Sequence, residues 1–116
     1  MIPAPVKPPV SLDLFQQLDI RAGTIVAVED VPKAKRLVRL RVDFGDRERT
    51  VLAGLREERD PSELVGKQTL FVVNLEPKRV MGELSEGMLL DIGFADGIPP
   101  VLAVPDAPVP NGARAG

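Results

Sequence analysis

The chain contains no cysteine and no histidine. Disulfides, cysteine nucleophiles, Cys/His zinc sites and any mechanism with imidazole as base are therefore excluded. Tryptophan and tyrosine are also absent, and phenylalanine occurs only four times. Proteins that hold single-stranded nucleic acid by stacking display several aromatics, so a nucleic-acid ligand here is expected to be held by charge and shape. No apolar run approaches the roughly 20 residues of a membrane span, and MIPAPVKPPV does not read as a signal peptide. The expectation is a cytoplasmic protein with no cofactor, no metal and no membrane partner, and not an enzyme. What remains is ordinary: 116 residues, 44% apolar, 28% charged and a net charge of −2, enough for one domain with its own core.

Proline is concentrated at the two ends. Pro3, Pro5, Pro8 and Pro9 open the chain, and Pro99, Pro100, Pro105, Pro108 and Pro110 crowd its close. Interior strands avoid proline because it removes a backbone donor. Residues 1–10 therefore read as a Pro-rich flexible arm, residues 11–116 as the folded domain, and the last six, NGARAG, as a frayed end. Between the ends, period two dominates. Val38, Leu40, Val42 and Phe44 point one way, and Arg39, Arg41 and Asp43 the other.

Gly45-Asp46 turns the chain into a second strand, Glu48–Ala53. Upstream, Ile20–Val28 is a strand with Gly23 as its expected bulge or bend point. Gln68–Leu75 and Met88–Ile92 follow as strands, and Val101–Val104 reads as a short edge strand. Asp60-Pro61 with Glu63 and Gly66 marks one short helix, and Ser11 caps the first turn of another. Three strands, a helix and two strands is the order of an oligonucleotide-binding (OB) barrel. The expected fold is thus all-β, a five-stranded OB barrel with one short helix between strands 3 and 4 and short terminal extensions.

Two constellations stand out. Residues 33–56 carry eight cations (Lys33, Lys35, Arg36, Arg39, Arg41, Arg47, Arg49 and Arg56) against three anions, a local charge of +5 in an acidic chain. Such clustering presents a positive field to phosphates, or it is a solvated strand face with cross-strand ion pairs. The second is NLEPKRVMGELSEGM, Asn74 to Met88. Lys78 and Arg79 beside Asn74 and Ser85 suit phosphate, ribose or a base edge, and Gly87 permits close approach. The alternative is a plain connection whose Asn and Ser satisfy turn hydrogen bonds. Catalytic constellations are weak, with no P-loop, no G-x-G-x-x-G and no base for Ser85.

These residues resemble a known family. LDIRAG (18–23) is similar to the D-I/L-R-V-G opening of the tRNA-binding domains related to methionyl-tRNA synthetase. LVRLRVDFG (37–45), AGL (53–55), ELVGK (63–67) and above all NLEPKRVMGELSEGM resemble further motifs of that family, over roughly Asp13 to Val104. Its members include free-standing tRNA-binding proteins, CsaA-type export chaperones and the cytokine-like domain of the multisynthetase complex.

The resemblance implies an OB domain that binds the outer corner of tRNA by shape and phosphate charge, without catalysis, usually as a homodimer. An aminoacyl-tRNA synthetase is a further partner it implies. The nucleic-acid-binding residues it implies by position are Arg36, Asn74, Lys78, Arg79, Ser85 and Met88, to which the basic window adds Arg39 and Arg41. Arg36 and Arg79 stand where the family usually has lysine; Lys35 and Val80 depart from its pattern. VLAGL (51–55) differs from the S-S-A-Q-I/L of CsaA-type chaperones, which favours a stand-alone tRNA-binding protein over the alternative, a chaperone of unfolded polypeptides. Leu12, Leu14 and Phe15, with Val101, Leu102 and Val104, are the apolar segments expected to form the dimer interface.

Overall fold

Strand alternation builds the barrel wall. The computed structural model describes residues 1–55 and 59–116; Arg56, the last cation of the basic window, lies outside them. After an exposed stretch without regular structure, helix α1 (Leu12–Gln16) begins at Ser11, whose Oγ accepts from the Leu14 N–H at 3.0 Å. Strands β1 (Ile20–Asp30), β2 (Val38–Asp43) and β3 (Glu48–Ala53) form an antiparallel meander. Val38, Leu40 and Val42 are fully enclosed, as the alternation predicts.

Ile25 and Val28 of β1 both pack inward, although three residues apart on a strand they should face opposite ways. A bulge at Val26 reconciles them: the register shifts there, so Ile25 pairs with Val42 and Val28 with Leu40. The bulge is thus at Val26, not at the expected Gly23. Gly23 has another role, since a Cβ there would lie 2.6 Å from Val42 Cγ1 and 2.7 Å from the Phe44 ring. Phe44 meets Phe71 edge to face at 5.4 Å, and with Leu64 they fill the centre.

The short helix between strands is a single 3-10 turn, Pro61–Leu64. Asp60 accepts from the Ser62 N–H, and the chain is already extended at Val65. Strand β4 (Gln68–Val72) pairs with β1. The stretch from Asn74 to Met88 is not a plain loop, because β5 (Lys78–Val80) and β6 (Glu83–Ser85) form a hairpin. Its central residues, Met81 and Gly82, have φ of 52° and 81°, the left-handed pair of a tight hairpin turn.

The expected Met88–Ile92 strand is divided. Strand β7 (Met88–Leu89) joins β4, while β8 (Asp91–Ile92) pairs with β9 (Val101–Leu102). The C-terminus is not frayed: β10 (Arg114–Ala115) pairs with β1. The β1–β2 pairing stops at Thr24, leaving the edge from Ile20 to Gly23 open, and β10 occupies it. The main sheet runs β3-β2-β1-β4-β7. On the far edge of β3 the Glu86 N–H donates to Thr50 O, and the Thr50 and Leu52 N–H groups donate to Glu86 Oε1 and Ser85 Oγ. These bonds curl the sheet into an all-β, OB-like barrel.

Candidate nucleic-acid interface

Because the apolar residues of β2 face inward, Arg39 and Arg41 stand on the outer face. Arg39 is held there twice: Nη1 lies 2.7 Å from Glu83 of β6, and Nε lies 3.2 Å from its cross-strand neighbour Glu29. These two carboxylates, Glu83 foremost, raise the guanidinium above its ordinary pKa. Arg39 thereby braces the hairpin against β2. Arg41 is exposed, opposite Thr50.

Three other cations of the basic window are placed differently. Arg49 donates from Nη1 to Val73 O at 3.1 Å, and Arg47 sits in the turn before β3. Lys33 takes a left-handed φ of 64° in the loop before β2, next to the buried Val31 and Ala34.

A two-lobed groove lies between β3 and the hairpin. The larger lobe, about 480 Å³, and the smaller, about 310 Å³, share Leu37, Leu52, Val80 and Met88. Lys78, Ser85 and Gly87 line the smaller lobe; Arg36, Asp91 and Phe94 line the larger. Lys78 is opposite Ser85 in the hairpin register, and Arg79 is opposite Leu84. Adjacent strand residues point to opposite faces, so Lys78 lines the groove and Arg79 turns away from it. Met88 stands at the rim with 46% of its surface exposed.

Asn74 and Ser85 are engaged within the chain. Asn74 Oδ1 accepts from the Asp19 N–H, and its Nδ2 donates to Gln17 O, both at 2.7 Å. Ser85 Oγ accepts from Leu52 N–H and donates to Gly87 O. Gly87 packs against β4, where a Cβ would lie 3.0 Å from Val72 O. Phe94 escaped the sequence reading entirely.

Beside Asp19, the barrel mouth holds a small cavity of about 110 Å³ lined by Asp19, Arg21, Phe44, Asp46, Arg49 and Val73. Arg21 Nε and Nη2 grip both oxygens of Asp19, at 2.8 and 3.0 Å. This hydrogen bond, with the charges of Arg21, Arg114 and Arg49, holds the Asp19 carboxyl below its ordinary pKa against the opposing effect of burial.

Of the apolar segments, Leu12, Leu14 and Phe15 are exposed on α1, as are Val101 and Val104 near β9. Leu102 instead packs partly buried against the core. Among the described residues no cluster of metal-ligating side chains occurs, and no helix is long and apolar enough to cross a membrane.

Residues 20–114 match the profile of a putative tRNA-binding domain. The chain is 50% identical over 91 residues to a methionine–tRNA ligase of Chlorobium chlorochromatii and 45% identical over 94 residues to that of Porphyromonas gingivalis. These alignments cover 78% and 81% of this chain but only 13% and 14% of the ligases. Among solved structures, a MetRS-related protein from Pyrococcus horikoshii superposes with a TM-score of 0.88 at 36% identity, covering 95% of this chain and all of that one. The chaperone CsaA of Bacillus anthracis superposes with a TM-score of 0.82 at 33% identity, covering 94% of this chain and all of its own. With this match over most of its length, on a barrel that positions a cation-lined groove, the chain belongs to the putative tRNA-binding domain family.

Proposed function

We propose that this protein binds tRNA as a stand-alone, non-catalytic module, reading shape and phosphate charge rather than sequence. The observation that carries the reading is Lys78, exposed on the hairpin above an apolar groove, with Arg36 at the other lobe and Arg41 on the neighbouring strand face. Lysine and arginine so placed position a nucleic acid by its phosphates. The module then acts in the cytoplasm, delivering bound tRNA to an aminoacyl-tRNA synthetase. Pairing of two copies through the exposed faces of α1 and β9 would double the cationic surface.

A second reading is a chaperone of unfolded polypeptides. The apolar floor of the groove and the likeness to CsaA favour it. Salt separates the two. A gel-shift titration with bulk tRNA at two salt concentrations should show binding that weakens with a log–log slope of about −0.7 to −0.9 per phosphate contact. Salt-independent capture of an unfolded polypeptide, with no tRNA shift, selects the chaperone reading.

A further inference from the structure

Two of the four phenylalanines are exposed, Phe15 on α1 and Phe94 in the groove. Phe44 and Phe71 are core residues, whereas Phe94 leaves 56% of its surface exposed on the wall of the larger lobe. It is fixed there by its own short turn. Gly93 and Gly97, at φ of 110° and 72°, bracket the turn, and the Phe94 N–H donates to Asp91 Oδ1 at 3.3 Å. Asp91 lines the same lobe, Arg36 stands at its wall, and Lys78 lines the lobe next to it.

Each lobe has a cation and an acidic residue, Lys78 with Glu76 in the smaller and Arg36 with Asp91 in the larger, but only the larger has an aromatic wall. A nucleobase suits that lobe on every side. Its faces meet Leu37, Leu52 and the Phe94 ring, and its exocyclic amino group meets an acceptor. We infer that the larger lobe takes one unstacked base of a single-stranded segment, stacked on Phe94 with its amino edge toward Asp91 and its flanking phosphate at Lys78. Adenine, cytosine and guanine carry that amino group; uracil presents carbonyl oxygens to the carboxylate instead. This deepens the tRNA-binding reading and rests on it, adding recognition of an exposed base to recognition of shape.

The chain has no tryptophan or tyrosine, so Phe94→Trp provides a lone fluorescent reporter. The variant is titrated with a short oligoadenylate, an oligouridylate, an abasic ribose-phosphate strand of equal length and a blunt RNA duplex. The expected result is quenching by oligoadenylate, weaker quenching by oligouridylate, and none by the abasic strand or the duplex. Phe94→Ala should keep the parent's melting curve and lose at least about fivefold in oligoadenylate affinity.

Equal quenching by the abasic strand, or unchanged affinity in folded Phe94→Ala, overturns the inference. Quenching by an extended apolar peptide but not by oligoadenylate assigns the lobe to a polypeptide. An emission shift on concentration alone, together with a dimer mass in light scattering, assigns it to a second copy. A normal tRNA gel shift without response to oligoadenylate removes only the base pocket; loss of all RNA binding removes the tRNA-binding reading with it.

Discussion

At the barrel mouth beside Asp19, Arg21 and Arg49 are bonded to the chain itself, to a carboxylate and a carbonyl; along the groove, Lys78 is exposed over an apolar floor. Arg49 and Lys78 are both cations on short antiparallel strands, and what separates them is the partner that folding supplies. β3 aims Arg49 inward, on the same side as Val51 and Ala53, where Val73 O accepts its hydrogen bond. The hairpin lifts Lys78 away from the sheet. A cation bonded in this way stabilises the barrel, and an exposed one is available to a phosphate. Arg39 lies between these cases, on the outer face yet neutralised by Glu29 and Glu83.

The largest effect should come from the mouth. Removing Arg49 deletes a charged donor to a part-buried carbonyl, an interaction worth about 1.5–3 kcal/mol. Arg49→Ala should lower unfolding free energy by that amount in a urea titration, while tRNA affinity per folded molecule stays near the parent's. A parental urea midpoint with lost tRNA binding would reverse the assignment and make the mouth a binding site.

The groove should respond in the opposite way. Lys78→Ala combined with Arg79→Ala should cost tRNA affinity about tenfold or more, since one good charge-assisted contact is worth about one decade, with the melting curve unchanged. Because Arg79 faces away from the groove, Lys78→Ala alone should account for most of that loss. Filter binding of the two single variants checks the split, and equal losses would mean that tRNA touches both faces of the hairpin.

Strand β2 was legible because its run V-R-L-R-V-D carries its own period, and the fate of each side chain follows from parity. The hairpin was not. Three-residue strands hold no readable period, and only one of its two turn residues is a glycine. β10 was invisible for a different reason: Arg114 and Ala115 have no local signal, and they form a strand because β2 ends early and leaves an edge open. The candidate site divides along the same line. Lys78 could be named from the motif, but the pairing of Arg39 with Glu83, or of Arg49 with Val73, depends on segments remote in sequence. Phe94 was missed because composition counts aromatics without saying which of them fold outward.

Ser85 sharpens the comparison at the seam between the two regions. Its hydroxyl closes the barrel onto the Leu52 N–H rather than facing outward as a free donor. Ser85→Ala should therefore cost about 1 kcal/mol of stability, the usual price of a part-buried hydrogen bond. Chemical denaturation measures the loss, and the same variant should bind tRNA within about twofold of the parent once the folded fraction is taken into account.

The smallest expected effect is the acid sensitivity of the mouth. Arg21, through its hydrogen bond and its charge, holds the Asp19 carboxyl below its ordinary pKa in the folded chain. A carboxyl depressed on folding contributes stability that is fully present above its unfolded pKa, about 3.9, and is lost as pH falls through the lower folded value. With 31% of the Asp19 side chain open to solvent, water screens the pair and the contribution is modest. Asp19→Asn removes the titrating group while keeping the side chain's shape. The parent's melting temperature should thus fall more steeply than the variant's below about pH 4, with the two curves parallel from pH 5 to 7. Parallel curves through the acid range as well would show that Arg21 and Asp19 hold each other without stabilising the fold, which leaves Arg49 as the cation that secures the mouth.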